Sequence, residues 1–566
     1  MRSLITSMTL SIFLVSGLLT DVHSTGKSVV QQYLTERAGE LIKVMAAHLI
    51  ESSELSLGGE QIYAPEMLER FYKRRNYQPA WIGSDGSFPH AEAMLDAIEE
   101  VRSEGLTPDY YHLEPVRMLI AQLRKDDVVN PEVMAELDVL LTDSFLMLGC
   151  RFSAGCVDPV TIESAWFVNR SDLAVDIILD DALKEDNIKG SLRELLPLQA
   201  GYSSLRQRLI QLTDIVSGGG WPMLSENLIL KKGNEGRTVS VVKKRLIVSN
   251  DLDYSDRGEE NRYDDELEQA VIRFQKRHGI NPDGIVGPET VKAMNIPAEQ
   301  RLRQIEVNLE RMRWTSRNLG HRYIIVNIAA FKLELVEHEQ VTMAMEVVVG
   351  KPFWDTPVFS RKMKYIILNP SWNIPESIAI EEILPKIRRS QEYLTQRNIK
   401  IFGSWADDAE EIAPSSIEWE KVGNEKFPYI FRQAPGPLNP LGRIKFMLPN
   451  KFHIYLHDTP AKGLFSRNSR AFSHGCIRVQ RPVDLAEYLL ENDPEWSREK
   501  IITAFDEGQE IRIDLALPVN VHIVYLTAWV DEEDVLNFRN DVYGRDEKLD
   551  KALRKKAVTI SASISN

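Results

Sequence analysis

The chain has 566 residues, of which 43% are hydrophobic and 27% are charged. A globular protein of this length contains several domains of ~100 to 200 residues, and we expect three or four. The 68 basic and 83 acidic residues give a net charge of −15, and no basic stripe runs along the sequence. Nucleic acid is therefore not expected as a partner, because its phosphates would bind against the overall field.

The first 24 residues have the pattern of a secretory signal. Arg2 precedes a mostly apolar run over 4–20, and the small residues Val22 and Ser24 suit a cleavage site. The alternative is an uncleaved anchor, since the run is close to the lower limit of ~17 residues for a membrane span. We predict export and favour a cleaved signal over residues 1–24.

Residues 25–225 are rich in helical patterns and predict an α-helical scaffold domain. The apolar residues of "PHAEAMLDAIEEVRSEGL" recur at spacings of three and four, which predicts an amphipathic helix that ends at Gly105. They are Ala91, Met94, Leu95 and Ile98. The glycines at 218–220 mark a plausible boundary after this domain.

Two of the three cysteines, Cys150 and Cys156, lie close together in this domain. In an unbroken helix their Cα atoms would be ~9 Å apart, which is too far for a disulfide. If the segment 153–155 breaks the helix, they could pair, and two unpaired small apolar residues are an equally good interpretation. We do not expect a metal site here, because no histidine or third cysteine lies nearby.

A small helical module is predicted over 226–298. Apolar residues at positions i, i+3, i+4 and i+7 predict a helix over 265–278, and a turn leads to a short helix over 288–294. The first set comprises Leu267, Ala270, Val271 and Phe274. The module resembles the three-helix peptidoglycan-binding domain of many cell-wall enzymes in its residues Phe274, Gln275, His278, Gly279, Asp283, Gly284, Gly287, Thr290 and Ala293.

After a linker helix over 299–320 the pattern becomes that of strands. Ile324, Val326 and Ile328 alternate with other residues, which predicts one buried face of a sheet. Similar segments continue to near Val530, so we predict a mostly β domain over 321–546. Charged, helix-like sequence over 377–429 predicts a helical capping insertion, and residues 547–566 are expected to be a tail. The fold class is multidomain α+β.

The segment "SRAFSHGCIRVQRP" contains the features of a cysteine nucleophile. In "KFHIYLHDTP" alternation places His453, Tyr455 and His457 on one face of a strand, and Cys476 follows through a polar connection that could bring its thiol to His457 as a thiolate–imidazolium pair. The N–H groups of Gly475 and Cys476 are candidate oxyanion donors. Histidine on a strand usually only bonds a backbone carbonyl, and we keep that interpretation for His453.

Arg478 lies two residues after the thiol, where its guanidinium could hold a substrate carboxylate through two parallel hydrogen bonds.

The pattern "HDTP…SHGCIR" resembles the signature of the L,D-transpeptidases of the YkuD type. "NPSWNIPESI", "RQAPGPLNPLGRIKFMLPN", "FSAGCVDP" and "TAWVDEEDVLNFRNDVYGRD" extend the resemblance to the large periplasmic branch of that family, in which a helical scaffold precedes a peptidoglycan-binding module and a capped β domain. Cys156 stands where a basic residue is expected in that scaffold, a departure that does not affect the catalytic motif.

The resemblance implies roles for individual residues. Cys476 would be the nucleophile and His457 its base, oriented by the carbonyl of Asp458. His474 and Ser473 would shape the nucleophile loop with Gly475. The donor pocket would be lined by Tyr455, Trp372 and Arg478.

The implied function is a two-step acyl transfer that forms 3→3 cross-links between peptidoglycan stem peptides. A tetrapeptide would be the donor, a diaminopimelate side chain the acceptor, and carbapenems would acylate the same thiol. No metal or organic cofactor is implied, and other cell-wall synthases are candidate partners. The open alternatives are an L,D-carboxypeptidase, D-amino-acid exchange by the same nucleophile, and a non-catalytic peptidoglycan-binding scaffold protein. The sequence does not determine the acceptor or the oligomeric state.

Overall fold

A computed structural model describes residues 32–51, 55–83, 87–125, 130–163, 166–167, 173–254, 260–315, 317–406, 408–423 and 427–555. The predicted signal over 1–24 and the last part of the predicted tail, 556–566, lie outside these residues. Within the described ranges, no helix is long and apolar enough to cross a membrane.

The scaffold domain is helical, as predicted. A long helix, Pro131–Ala154, is buried along most of its length, and Asn130 caps its start by accepting a hydrogen bond from the Glu132 N–H. Around it lie a helix over 32–51, the helices Pro65–Arg74, Pro89–Glu100, Leu113–Lys125, Pro159–Ile162, Val175–Lys184, Ile188–Arg193 and Ala200–Ser217, the 3₁₀ turns Val101–Glu104 and Pro108–Tyr111, and the short strands β1 (Ser56–Leu57), β2 (Glu60–Gln61) and β3 (Trp166–Phe167).

The helix predicted to end at Gly105 is confirmed in position. Helix Pro89–Glu100 continues as a 3₁₀ turn, and Gly105 follows in the left-handed conformation.

The two nearby cysteines do not form a disulfide. The long helix does end at Ala154, and Gly155 has a φ of +79°, so the predicted break exists. Cys150, however, remains inside the helix, where its sulfur lies 4.0 Å from the Met67 sulfur. Among the described cysteines, the interpretation without a disulfide is therefore the one that the structure bears out.

The peptidoglycan-binding module has the three helices Arg237–Val248, Asp265–Arg277 and Pro288–Met294 around its own apolar core. The four residues that predicted its central helix are all fully buried. Asp264 caps that helix by accepting a hydrogen bond from the Leu267 N–H.

The predicted linker is the helix Ala298–Trp314, and it does more than connect domains. Ile305 and Leu309 belong to the scaffold core, whereas Val307 and Trp314 belong to the core of the β domain. The helix is thus shared by two cores and fixes the scaffold against the catalytic domain.

The catalytic domain is built on a sheet that closes on itself. Its strands are β4 (Arg322–Asn327), β5 (Lys332–Glu337), β6 (Gln340–Gly350), β7 (Val358–Leu368), β11 (Ile444–Met447), β12 (Leu456–His457), β13 (Ala471–Ser473), β14 (Ile477–Val479) and β15 (Ile511–Val524). The strand order is β11-β12-β14-β6-β5-β4-β15-β7, and β7 pairs again with β11. The predicted alternation is confirmed, since Ile324, Val326 and Ile328 are fully buried.

Other elements complete this domain. Helices Pro482–Leu489 and Arg498–Glu507 pack against the sheet, 3₁₀ turns occupy Pro352–Trp354 and Lys462–Ser466, and a hairpin is formed by β16 (Ala528–Val530) and β17 (Leu536–Phe538). The scaffold strand β3 pairs with β7, a contact that sequence patterns did not indicate.

The insertion is a small subdomain with a core of its own. It contains the helices Glu376–Ile378, Leu384–Arg389 and Glu392–Gln396, a π-helix at Ala379–Ile383 and a 3₁₀ turn at Pro414–Ser416. The purely helical prediction was incomplete, because β8 (Trp372–Ile374), β10 (Ile430–Gln433) and β9 (Ile399–Phe402) form a three-stranded sheet. The alternating burial of Ile399 and Ile401 is the signal that the charged surroundings obscured.

The described part of the predicted tail, 547–555, is not simply a tail. Helix Arg545–Leu553 crosses the predicted boundary at 546, and its Leu549 is 1% exposed in the core of the β domain.

Candidate active site

Four of the predicted site residues share one face of the closed sheet. Strands β12 and β14 are parallel neighbours, with His457 opposite Arg478. Because side chains alternate along a strand, Tyr455 and His457 project to the same side as Cys476 and Arg478. The Ile477 N–H donates to the Tyr455 carbonyl at 3.1 Å, which keeps this register up to the nucleophile.

The predicted strand over 452–457 is shorter than expected. Ile454 and Leu456 are buried, as the alternation predicted, but His453 has a φ of +57° and is exposed in a turn before the strand. Its carbonyl lies 3.9 Å from the Cys476 sulfur. The imidazole of His453 therefore lies outside the row formed by Tyr455 and His457.

The orientation of His457 is set by the backbone. Its Nδ1 lies 2.5 Å from the Asp458 carbonyl oxygen, which can only accept, so Nδ1 carries the proton and Nε2 keeps its lone pair. Burial lowers the pKa of His457 to about 3, and the Arg478 charge acts in the same direction, against the carbonyls of Asp458 and Leu441. At neutral pH this imidazole is an uncharged base.

Cys476 is half-buried beside Tyr455. Burial raises the pKa of its thiol, whereas the Tyr455 N–H, the Lys445 charge and the Tyr455 hydroxyl lower it. Among the described residues no hydrogen bond joins the thiol to His457, and catalytic hydrogen bonds are often long before substrate binds. The predicted resting thiolate–imidazolium pair is therefore wrong for the free protein, because burial favours the neutral form of both groups.

The nucleophile loop is held by hydrogen bonds that leave one donor free. The Gly475 N–H donates to Ser473 Oγ at 3.1 Å, and that hydroxyl donates to the Cys476 carbonyl at 2.6 Å. The prediction that Gly475 supplies an oxyanion donor is therefore not met, since the serine already occupies its N–H. The Cys476 N–H has no acceptor among the described residues. It is therefore the candidate oxyanion donor that remains.

Glycine is required at position 475. Its φ is +106°, a conformation that L side chains rarely adopt. An added Cβ would also lie 3.2 Å from Cδ1 of Ile454. The sharp turn beside the nucleophile thus requires a residue without a side chain.

Thr356 also supports the nucleophile loop through hydrogen bonds. Sequence analysis did not identify this residue. Its hydroxyl donates to the Gly475 carbonyl at 2.8 Å and accepts from the Gly350 N–H at 2.9 Å, and the residue is fully buried. Tyr543 adds a second support, since its hydroxyl donates to the Gly350 carbonyl at 2.6 Å. A buried threonine in "WDTPVF" carries no pattern that separates it from ordinary core residues.

Arg478 has the features of a residue that binds an anionic group. Its Nε is buried without a hydrogen-bond partner among the described residues. Burial lowers the pKa of the guanidinium, and the neighbouring Cys476 opposes that effect.

Trp372 lies on a different sheet from the other site residues. It begins β8, pairs with Gln433 and packs partly buried against the core of the insertion. The structure therefore assigns it to the capping subdomain, and not to the sheet that carries Cys476.

The capping subdomain contacts the nucleophile loop directly. His474 Nε2 lies 2.9 Å from Oε1 of Glu382, which belongs to the π-helix Ala379–Ile383. Burial lowers the pKa of His474, and Glu382 opposes this effect. On its other side the His474 ring lies 5.2 Å from the ring of Trp354.

Comparison with protein families matches three parts of the chain. Residues 66–209 match the "Scaffold domain", residues 236–294 the "Putative peptidoglycan binding domain", and residues 321–501 the "L,D-transpeptidase catalytic domain" of YkuD type. The third range contains Cys476, His457 and the face that they share. The chain contains a YkuD-type L,D-transpeptidase catalytic domain. The predicted α+β architecture, with a helical peptidoglycan-binding domain and a scaffold domain, is confirmed as well.

Relatives with curated names match the chain over part of their length, and one of the two below is named as an L,D-transpeptidase. A "Putative L,D-transpeptidase" of Haemophilus influenzae is 35% identical over 232 residues, 41% of this chain and 46% of that protein. A "Probable N-acetylmuramoyl-L-alanine amidase" of Bacillus licheniformis is 39% identical over 149 residues, 24% of this chain and 42% of that protein. The chain thus spans less than half the length of either relative.

Among solved structures, the L,D-transpeptidase from Stackebrandtia nassauensis is 13% identical, with a TM-score of 0.20 over 53% of this chain and 96% of that one. A similarity this low supports no inference about the site.

Proposed function

We propose that the protein is a periplasmic L,D-transpeptidase that forms 3→3 cross-links between peptidoglycan stem peptides through a thioester on Cys476. The observation that carries the proposal is the shared face of the closed sheet, on which a thiol, a neutral imidazole and an unpartnered guanidinium lie on adjacent strands. The adjoining peptidoglycan-binding module supplies a reason for the substrate class.

The first step is acylation of Cys476. The thiol proton moves to Nε2 of His457 as the sulfur attacks the carbonyl between the third residue of a tetrapeptide stem and its terminal D-Ala. The Cys476 N–H lies where it can donate to the oxyanion that forms, and Arg478 holds the donor's carboxylate. The carbon–nitrogen bond then breaks, D-Ala leaves with the proton from His457, and an acyl thioester remains.

The second step forms the cross-link and regenerates the free Cys476 thiol. The side-chain amine of diaminopimelate on a neighbouring stem attacks the thioester, and His457 accepts its proton. A carbon–nitrogen bond forms, the carbon–sulfur bond breaks, and the released sulfur regains a proton from His457. The neutral imidazole has a free lone pair on Nε2 for each proton that it accepts.

The same chemistry leads us to propose that carbapenems acylate Cys476, since their strained amide offers a comparable carbonyl. The leader pattern at the amino terminus supports export, and the peptidoglycan-related domains support action at the cell wall.

The test uses purified disaccharide-tetrapeptide and separates the acceptors. The mature protein is incubated with it, and the muropeptides are analysed by chromatography and mass spectrometry beside a Cys476→Ala control. The proposal expects a dimer that lacks one D-Ala, formed by the wild type alone. Tripeptide alone would indicate an L,D-carboxypeptidase, and incorporation of an added D-amino acid would indicate exchange. Intact tetrapeptide with both proteins would contradict catalysis on this donor and favour a wall-binding scaffold protein.

A further inference from the structure

Lys445 lies on the catalytic face but has no assigned role in the chemistry described above. It is the second residue of β11 and lies directly opposite His457 in the antiparallel pair β11–β12. Its side chain therefore projects to the same side as His457, Tyr455 and Cys476. Ile444 and Phe446, its neighbours in the strand, are fully buried on the other side.

The surroundings of the Lys445 ammonium are unusual for a lysine on a strand. Nζ lies 3.9 Å from the centroid of the Tyr455 ring, a close cation–π contact. Within the described part of the chain, no carboxylate lies within 4 Å of it; Glu510 acts on it only from further away. Burial lowers the pKa of this half-buried ammonium. A cation that is partly desolvated without an acidic partner costs free energy, which favours a functional explanation.

The tyrosine under this ammonium contacts the nucleophile. Tyr455 lies opposite Cys476 in the β12–β14 register, and its backbone N–H and its hydroxyl both lower the pKa of the Cys476 thiol. A hydroxyl that donates to a sulfur stabilises the thiolate more than the thiol. Lys445, Tyr455 and Cys476 therefore form a chain of contacts that ends at the reacting atom.

We propose that Lys445 is a positioning residue for the nucleophile: its ammonium, placed on the Tyr455 ring, draws electron density from the phenol and strengthens the hydrogen bond that the hydroxyl donates to the Cys476 thiolate. The cation also contributes its own field at the sulfur. This assignment rests on the proposed function and deepens it, because it names a charge that stabilises the thiolate as its proton passes to His457.

Other charged and titratable groups lie on the elements around the same thiol and have to be separated from Lys445. Those on β12 and β14 are His457 and Arg478, and those on the nucleophile loop and the cap are His474 and Glu382. Arg478 lowers the pKa of the Cys476 thiol as well, so its charge would remain when Lys445 is replaced. A substitution at 445 should accordingly reduce the thiolate population without abolishing it.

The experiment measures the pH dependence of Cys476 alkylation by iodoacetamide, followed by mass spectrometry of the peptide that contains Cys476. This readout needs no peptidoglycan substrate, so its failure is distinguishable from failure of the proposed function. The variants are Lys445→Met, which keeps length and removes charge, Lys445→Arg, which keeps charge, and Tyr455→Phe, which keeps the ring and removes the hydroxyl.

We expect Lys445→Met to move the alkylation profile to higher pH, with a rate roughly tenfold lower at pH values below the midpoint. Lys445→Arg should restore most of the wild-type profile. Tyr455→Phe should move it in the same direction as Lys445→Met, and the double variant should show less than the sum of both shifts, because the lysine acts partly through the hydroxyl.

An unchanged profile in folded Lys445→Met would overturn the proposal, as would equal shifts for Lys445→Arg and Lys445→Met. Should Lys445→Met lose its folded-state circular dichroism, Lys445→Gln gives the same comparison with a polar side chain. Additive shifts in the double variant would refute the route through Tyr455.

Discussion

The nucleophile loop depends on Thr356, and replacing this residue by valine tests how. Valine has nearly the same shape as threonine but lacks the hydroxyl that bonds both the Gly475 carbonyl and the Gly350 N–H. Two buried backbone groups would lose their partner, at a cost of about 1 to 3 kcal/mol for each group left unsatisfied.

A total loss of about 3 kcal/mol would lower the unfolding temperature of a domain of this size by about 6 to 12 °C. Calorimetry would resolve this as a shift of the catalytic domain's transition, with the peptidoglycan-binding module as an internal reference. The rate of Cys476 acylation by a carbapenem should fall at the same time, because the loop loses the bond that positions Gly475.

Thr356→Ser is the matched control, since it keeps the hydroxyl and loses only a methyl group. The reasoning would be refuted by a Thr356→Val protein that unfolds and acylates like the wild type. It would also be refuted if Thr356→Ser were as damaged as Thr356→Val, since the methyl group would then be the important part.

Three further predictions follow from the same structure. His457 has a folded-state pKa of about 3 against ~6.5 when unfolded, so the stability that it contributes is present above pH 6.5 and lost as pH falls towards 3. Calorimetry between pH 7 and 4 should therefore show a smaller decline of the unfolding temperature for His457→Gln than for the wild type. An equal decline in both proteins would contradict the depressed pKa. Gly475→Ala should reduce the acylation of Cys476 strongly. The control Gly508→Ala, at a φ of +69° with nothing within 4 Å of the added Cβ, should lose similar stability but keep its acylation rate. Equal acylation rates for the two variants would argue against a strained nucleophile loop. Leu549→Ala should destabilise the catalytic domain by about 2 to 5 kcal/mol in denaturant unfolding, and no effect would mean that the C-terminal helix is dispensable.

Much of the site could be predicted from sequence because its residues are close together along the chain. Cys476, Gly475 and Arg478 lie within one short motif, and alternation alone placed Tyr455 and His457 on one face. The four buried residues of the module's central helix were likewise visible as a period of 3.6 residues.

The parts that were missed depend on contacts between distant segments. Thr356 reaches Gly475 across 119 positions, and Lys445 reaches its place only because β11 pairs with β12. The charge states of the Cys476 thiol and the His457 imidazole in the free protein could not be predicted from the sequence either, because they depend on burial. Desolvation shifts both pKa values towards the neutral forms.

The boundary of the C-terminal segment was missed for a related reason. Its helix contains a single fully buried leucine, Leu549, among charged residues, so the sequence resembles a solvated tail. What holds it is the ion pair between Arg545 and Asp355 and the burial of Leu549 in the core of the β domain.

The central claim is that Cys476 becomes acylated by a stem peptide, and intact-protein mass spectrometry tests it most directly. The mature wild type and a Cys476→Ala variant would be mixed with disaccharide-tetrapeptide and quenched in acid within seconds. The account predicts a wild-type adduct with the mass of the disaccharide-tripeptide acyl group, absent from the variant and released by hydroxylamine. An adduct of equal size on both proteins would contradict the account, and so would cross-linked product that forms at full rate on the variant.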